Sequence, residues 1–447
     1  MHQTEGTDEV LPSLGENTIV RLIADVIAAA CGFVSAVVTA RVLGPSGKGT
    51  LSTLLFIAVL LSYACSLGLG DAAIVLVRSR AASIEEALAS SFAPLAITTM
   101  VGCLVLVLIG WIADWSAIVP AVVVAGGLVA VSTFLRVLVA LENARERLKM
   151  TSLIFAVSSA TSAIGAILFV AILNMGIAGG ALAALCGPLV GGALALWDFS
   201  RRSVSLIGPV STAYLRRALS FGVPSEAAYI LVALSQRVDL LIVYAILGEA
   251  DAGRYTIALT LGQLAAYAPF ALATASFPRL AGLDAKEVSQ LVEKLSRITL
   301  ASALGVAFTL FIMIPMGVVS LFGEGFQDAV VPALVLTCGS VVWSEQWLLA
   351  RAAAARGDSR LYFISFGSSL MGMVILDLLL VPGFGLIGAA AASVASALLG
   401  LVVCLMILRR QEGWAISLRR LTPSFADIRE IALWLKDFVV RARKRAV

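Results

Sequence analysis

Arg41–Ala64 reads RVLGPSGKGTLSTLLFIAVLLSYA, and Ala245–Ala268, 204 positions on, reads AILGEADAGRYTIALTLGQLAAYA. Leu43/Leu247, Gly44/Gly248, Gly49/Gly253, Leu55/Leu259, Leu60/Leu264, Tyr63/Tyr267 and Ala64/Ala268 coincide without a gap. In each copy an apolar run ends, two glycines five apart turn the chain, and a second apolar run begins. Glycine suits that turn because it takes positive φ where a helix must stop. Leucine and alanine matches mean little in this composition; paired glycines and tyrosines mean more. A second echo follows in the same order: Gly176-Ile-Ala-Gly-Gly-Ala-Leu-Ala returns as Gly385-Leu-Ile-Gly-Ala-Ala-Ala-Ala. Two ordered echoes indicate an internal duplication.

The duplicated chain belongs in lipid. It is 60% hydrophobic and 13% charged, with a mean hydropathy of +1.00. Soluble domains carry roughly 45–50% apolar and about 25% charged residues, so the excess must face hydrocarbon. Twelve apolar runs lie near 19–40, 50–69, 88–112, 117–141, 151–173, 177–197, 220–247, 254–277, 297–322, 329–352, 361–381 and 386–408. Each has about 20 residues or more, enough to cross about 30 Å as a helix. The fold expected is therefore all-α integral membrane, with twelve transmembrane helices in two six-helix lobes. Six is even, so both halves enter from one side as parallel repeats about the membrane normal. The segments expected are a tail (1–18), an N-lobe with helices 1–6 (19–198), a linker (199–219), a C-lobe with helices 7–12 (220–408) and a basic tail (409–447).

Loop charges orient this array. Of 32 Lys and Arg, 26 fall on the side holding both termini and Arg41, Lys48 and Arg254 on the other; Arg21, Arg136 and Arg237 lie within spans. That asymmetry predicts cytoplasmic termini. Residues 1–18 are acidic and do not read as a signal peptide. Leu280–Arg297 has Leu283, Val288, Leu291 and Leu295 at helical spacing and reads as an amphipathic cytoplasmic connector. Phe425–Arg445 gathers Phe425, Ile428, Ile431, Leu435, Phe438 and Val439 on one face among basic residues. It suits a helix resting on anionic lipids; the plain alternative is a basic tail that only fixes topology.

Several chemistries are excluded. His2 is the only histidine, which leaves no imidazole in the body for a metal site or an acid–base dyad. The six cysteines all lie in apolar runs, without disulfide or metal spacing. Gly44–Thr50, GPSGKGT, is not a phosphate loop: two residues rather than four separate its first glycines, and Gly49 follows Lys48. No cofactor, no metal, no enzymatic activity and no nucleic-acid partner is expected.

Charges inside spans are the informative residues, because each is costly unless it faces protein or a wet lumen. Arg21, Asp25, Ala28, Gly32, Ser35 and Thr39 form one polar stripe on the first helix. Glu226 and Arg237, eleven apart, share a face of the seventh, while Asp239 points elsewhere. Thr256, Thr260, Gln263, Tyr267 and Thr274 stripe the eighth helix. Thr337, Ser340, Ser344, Trp347 and Arg351 stripe the tenth, with Glu345 beside them. Such stripes on corresponding helices imply a hydrated central cavity. Each also has a plainer reading. Arg21–Asp25 is an ordinary i,i+4 pair, Arg136 and Arg351 snorkel from helix ends, Glu226 beside Pro224 caps or kinks its helix, and Ser/Thr stripes are packing surfaces.

The pattern of ARVLGPSGKG, SLGLGDAAI, SFGVPS…SQRVDLLIVYAILGEADAGRY, FPRL and the late G-x-x-G-A resembles polysaccharide transporters of the MOP exporter superfamily. These are Wzx-like flippases related to the lipid II flippase and to multidrug antiporters of the MATE type. The resemblance runs over nearly the whole chain. It implies two six-helix lobes, a V-shaped cavity, and alternating access that exports a polyprenyl-diphosphate-linked oligosaccharide for cell-surface polysaccharide synthesis. It implies cavity arginines on the anionic substrate, carried over by position to Arg237 and Arg21, and polysaccharide-assembly proteins as partners. The Arg-x-Asp order at Arg237 and Asp239 departs from the Asp-Arg order common in that block. Helices thirteen and fourteen, which would mark the lipid II branch, are missing. The cavity residues expected are Arg21, Asp25, Arg136, Glu226, Arg237, Asp239, Gln263, Tyr267 and Glu345. The alternative function is an H⁺- or Na⁺-coupled small-molecule antiporter, with Asp25, Glu226 or Asp239 binding the cation. A membrane sugar polymerase would need a sizeable external loop, and none is present.

Overall fold

The computed structural model describes residues 10–201, 208–267, 269–270, 285–355 and 360–410, and every regular element among them is helical. The basic tail, with its expected surface helix at 425–445, lies outside the described residues. The helices are α1 (Val10–Ser66), α2 (Leu69–Arg78), α3 (Ile84–Ile112), α4 (Val119–Ala144), α5 (Leu148–Gly165), α6 (Gly176–Arg201), α7 (Thr212–Leu247), α8 (Glu249–Gly262), α9 (Ala285–Phe322), α10 (Val330–Ala355) and α11 (Arg360–Arg410).

Among the described residues nine helices are long and apolar enough to cross a membrane. Two of these, in α1 and α11, are each a pair of spans joined at a glycine. α8, resumed after a turn at Gln263, completes the twelve expected.

The repeat is written in the backbone. Gly44 has φ 66°, ψ −176° and its counterpart Gly248 has φ 89°, ψ −175°. That corner of conformational space is essentially closed to residues with a Cβ, so both hairpins turn at the same kind of residue. Gly176 and Gly385, the second echo, also have positive φ, 61° and 56°. The later glycine of each hairpin does not turn the chain. Gly49 and Gly253 are buried inside the following helix.

The chain divides into two compact units, Met1–Ala233 and Leu234–Val447, with the division inside α7. In the first, α1 packs on α3, α4, α5 and α6. Its core is built from Leu69, Leu95, Val137, Leu141, Ile154 and Phe199. In the second, α10 packs against α8, α9 and α11, and Val292, Leu349, Ala352, Leu361, Cys404 and Leu408 close one end. Val292 therefore belongs to a core. The expected amphipathic connector runs unbroken, from Ala285 on, into the ninth span.

Side-chain placement is inverted relative to a soluble protein. Trp111, Ile112 and Met316 are 81%, 78% and 77% exposed, while Glu142, Asp239, Asp377 and Gln346 are fully buried. Lipid-facing helices put apolar groups outward and polar groups inward, where partners exist. Many hydroxyls of the expected stripes bond back to their own helix: Thr256 Oγ1 to Ala252 O, Thr260 to Thr256 O, Thr337 to Ala333 O and Ser344 to Val341 O. Back-bonding satisfies them without a ligand, which is the packing role.

Candidate functional site

The first unit holds an open cavity of about 830 Å³. α1 brings Arg21, Ser35, Thr39 and Lys48 to it, α2 Asp71, α4 Arg136, α5 Ser158, Ser159 and Ser162, and α7 Glu226 and Tyr229. Three cations and two carboxylates on one wall set are unusual in a protein with so few charges.

Arg136 is the best-held cation. Its Nη2 donates to Glu226 Oε1 at 2.9 Å, and its guanidinium sits 4.2 Å from the Tyr63 ring centre and 6.0 Å from that of Tyr229. Glu226 Oε2 accepts from Ser66 Oγ at 2.8 Å. Asp71 accepts from Ser225 Oγ at 2.5 Å, which ties α2 to α7 next door. A backbone crossing places these groups. A Cβ on Gly222 would fall 2.6 Å from Gly68 O, so the two chains meet where only hydrogen fits. Glu226 thus faces Arg136 and Ser66, a polar cluster no local spacing indicated.

Arg21 pairs with Asp25, Nε to Oδ1 at 3.0 Å, and lies 5.0 Å from the centre of the Phe155 ring. The pair is the plain i,i+4 contact, with Arg21 also lining the cavity. Lys48, counted with the outside loops in the charge tally, is buried: its Nζ donates to Thr39 Oγ1 at 2.9 Å. The kink at Gly44 turns the residues after it inward. A separate cluster joins the α4–α5 turn to α6, where Arg147 meets Asp198 at 2.9 Å and Glu142 is fully buried between Arg145 and Arg147. It cross-links helices.

In the second unit Arg237 Nη2 donates to Gln263 Oε1 at 3.0 Å. Among the described residues no carboxylate lies within ion-pair distance of Arg237, so an amide rather than an acid holds it. Asp239, two residues on, points away as the sequence indicates. It accepts from Tyr255 Oη at 2.7 Å, Ser393 Oγ at 2.8 Å and Leu240 N at 2.8 Å. Asp377 on α11 is fully buried, and neither of its oxygens has a hydrogen-bond partner among the described residues. A carboxylate inside the eleventh apolar run was as visible a signal as Asp239 and was missed. Glu345 is buried beneath Ser296, which donates to it. Gln263 and Tyr267 line a smaller pocket of about 280 Å³. The candidate residues thus fall into separate places: Arg21, Arg136 and Glu226 at one cavity, Gln263 and Tyr267 at another, and Asp239 and Glu345 in buried networks.

Solved structures share this fold. The inward closed structure of the lipid II flippase MurJ superposes with a TM-score of 0.70 at 16% identity, covering 95% of this chain and 93% of that one. An inward-facing multidrug resistance MATE family transporter of the MOP superfamily gives 0.64 at 18% identity, over 87% of this chain and 98% of its own. A MOP superfamily transporter from Pyrococcus furiosus gives 0.59 at 14% identity, over 90% and 93%. At these identities the likeness is one of fold. No curated protein sequence matches the chain. The family model for "polysaccharide biosynthesis protein" matches residues 14–284, more than half the sequence, and the chain accordingly belongs to the polysaccharide biosynthesis protein family, built on the twelve-helix MOP transporter fold.

Proposed function

We propose that the protein flips a polyprenyl-diphosphate-linked oligosaccharide across the plasma membrane by alternating access, with its termini in the cytoplasm. The observation that carries this reading is the charged cavity of the first unit, where Arg21, Lys48 and Arg136 line one space. A diphosphate is the common handle of lipid-linked sugars, and a guanidinium grips two of its oxygens through paired N–H donors. Arg136 is held by Glu226 at 2.9 Å while the site is empty. Phosphate entering the cavity takes over that guanidinium and frees Glu226 to its Ser66 bond. Such an exchange biases the conformational equilibrium, because a ligand shifts states only through contacts that differ between them. Arg237, in the second unit, is a further arginine that can hold phosphate: its amide partner Gln263 yields more readily than a carboxylate.

The test is export. Wild-type protein restores surface polysaccharide to a strain lacking its gene, and Arg136→Ala at equal membrane level does not. Full restoration by Arg136→Ala rejects the diphosphate role. A second reading, an H⁺- or Na⁺-coupled antiporter, draws on Asp239 and Asp377, both fully buried and with no cation at ion-pair distance among the described residues. Buried carboxylates of this kind in a span mark ion pathways. Drug efflux without polysaccharide export decides for it.

A further inference from the structure

The smaller pocket differs in chemistry from the charged cavity. Among its described lining residues there is no Asp, Glu, Lys or Arg. Hydroxyls, amides and aromatic rings take their place: Gln236, Gln263, Tyr267, Phe270, Ser340 and Trp343. All of them belong to the second unit.

We infer that this pocket binds one neutral sugar ring. The inference rests on the flippase reading and assigns the glycan end of its substrate a seat of its own. A pyranose has an apolar face of C–H bonds and a rim of hydroxyls. It needs an aromatic plane for the first and uncharged donors and acceptors for the second.

The plane is held rigid. Trp343 stacks on Trp347 with ring centres 5.5 Å apart and 23° between planes, and Phe270 stacks on Trp347 at 5.2 Å and 25°. Phe366 meets Trp347 edge-on at 5.8 Å. Trp347, 7% exposed, buttresses Trp343 and Phe270, which line the pocket. At about 280 Å³ the pocket sits at the lower edge of the roughly 300–1,000 Å³ of small-molecule sites, which limits it to a single ring-sized group. A lipophilic cation would find aromatic faces here, but no carboxylate in the described lining to complete its charge.

Full-length protein in lipid nanodiscs, titrated with tritiated glucose, galactose and N-acetylglucosamine, tests the assignment. The expected result is saturable, mutually competitive binding of at least one sugar, untouched by tetraphenylphosphonium. Trp343→Ala weakens it roughly three- to tenfold, the worth of one aromatic contact, and Trp343→Phe restores part of the loss. Ser340→Met, which fills the pocket without removing a ring, abolishes it and serves if Trp343→Ala does not insert. No saturable binding at ~50 mM sugar, well above the millimolar range of a single-ring contact, overturns the proposal. So does displacement of the sugar by tetraphenylphosphonium, or equal binding by wild type and Ser340→Met. Wild-type restoration of surface polysaccharide, scored in parallel, keeps the flippase reading separate: it stands if export is restored and the pocket fails, and falls if export is absent whatever the pocket binds.

Discussion

Removing either partner of the Arg136–Glu226 pair should have unequal consequences, and the inequality follows from burial. Glu226 is 5% exposed at the side chain and Arg136 31%. Arg136→Ala strands a buried carboxylate whose remaining hydrogen bond among the described residues is from Ser66. Breaking a buried pair costs about 3–5 kcal/mol, and because Arg136 reaches water the low end applies, about 3 kcal/mol. Glu226→Gln leaves the guanidinium against Tyr63 and Tyr229, partly wetted, and keeps an acceptor for Ser66. Its cost should be about 1 kcal/mol, the worth of a lost charge-assisted bond less what the rings and water return. In the double variant neither charge is left stranded, so the pair should show a coupling of about 1–2 kcal/mol. The assay is thermal unfolding of the purified protein in one detergent. For a unit of this size the Arg136→Ala shift is roughly 6–12 °C and the Glu226→Gln shift roughly 2–4 °C. In proteoliposomes, Glu226→Gln should keep or raise affinity for the diphosphate lipid, since the arginine no longer has to be released from a carboxylate. Equal costs for the two single variants, or strict additivity in the double, would refute the reasoning.

Gly222→Ala should sharply reduce folded protein in the membrane, because its methyl would lie 2.6 Å from Gly68 O on a backbone that cannot step aside; detergent-soluble yield against wild type measures it. Arg237→Ala should abolish surface polysaccharide at unchanged protein level and Arg237→Lys should rescue in part, since a point charge cannot fork onto two oxygens. Asp377→Asn should leave the fold intact or more stable, having removed a buried carboxylate without a described partner, while export loses its dependence on an imposed H⁺ or Na⁺ gradient; retention of that dependence rules Asp377 out as a cation ligand. An impermeant maleimide should label Ser46→Cys, at the exposed start of the second span, from outside, and Ser79→Cys only after the membrane is opened; the reverse pattern inverts the topology.

Composition and periodicity alone determined the membrane class, the twelve spans and the duplication. Those properties are local: twenty apolar residues need no distant partner to demand lipid, and a glycine that must take φ near +66° at Gly44 announces itself again at Gly248. The polar stripe on the first helix was likewise legible through Arg21, Ser35 and Thr39, which reach one cavity because helical spacing puts them on one face. What each charge faces was decided by tertiary structure. Glu226 shares a helix face with Arg237 in the sequence, yet its partners are Arg136, ninety residues away, and Ser66 from α1. Lys48 reads as a loop cation until the turn at Gly44 folds it back onto Thr39. The aromatic stack needs α10 and the residues after α8 brought side by side before Phe270 meets Trp347. Pairing in a low-dielectric interior depends on which helices pack together and at what rotation, and a repeat of apolar runs carries almost none of that information.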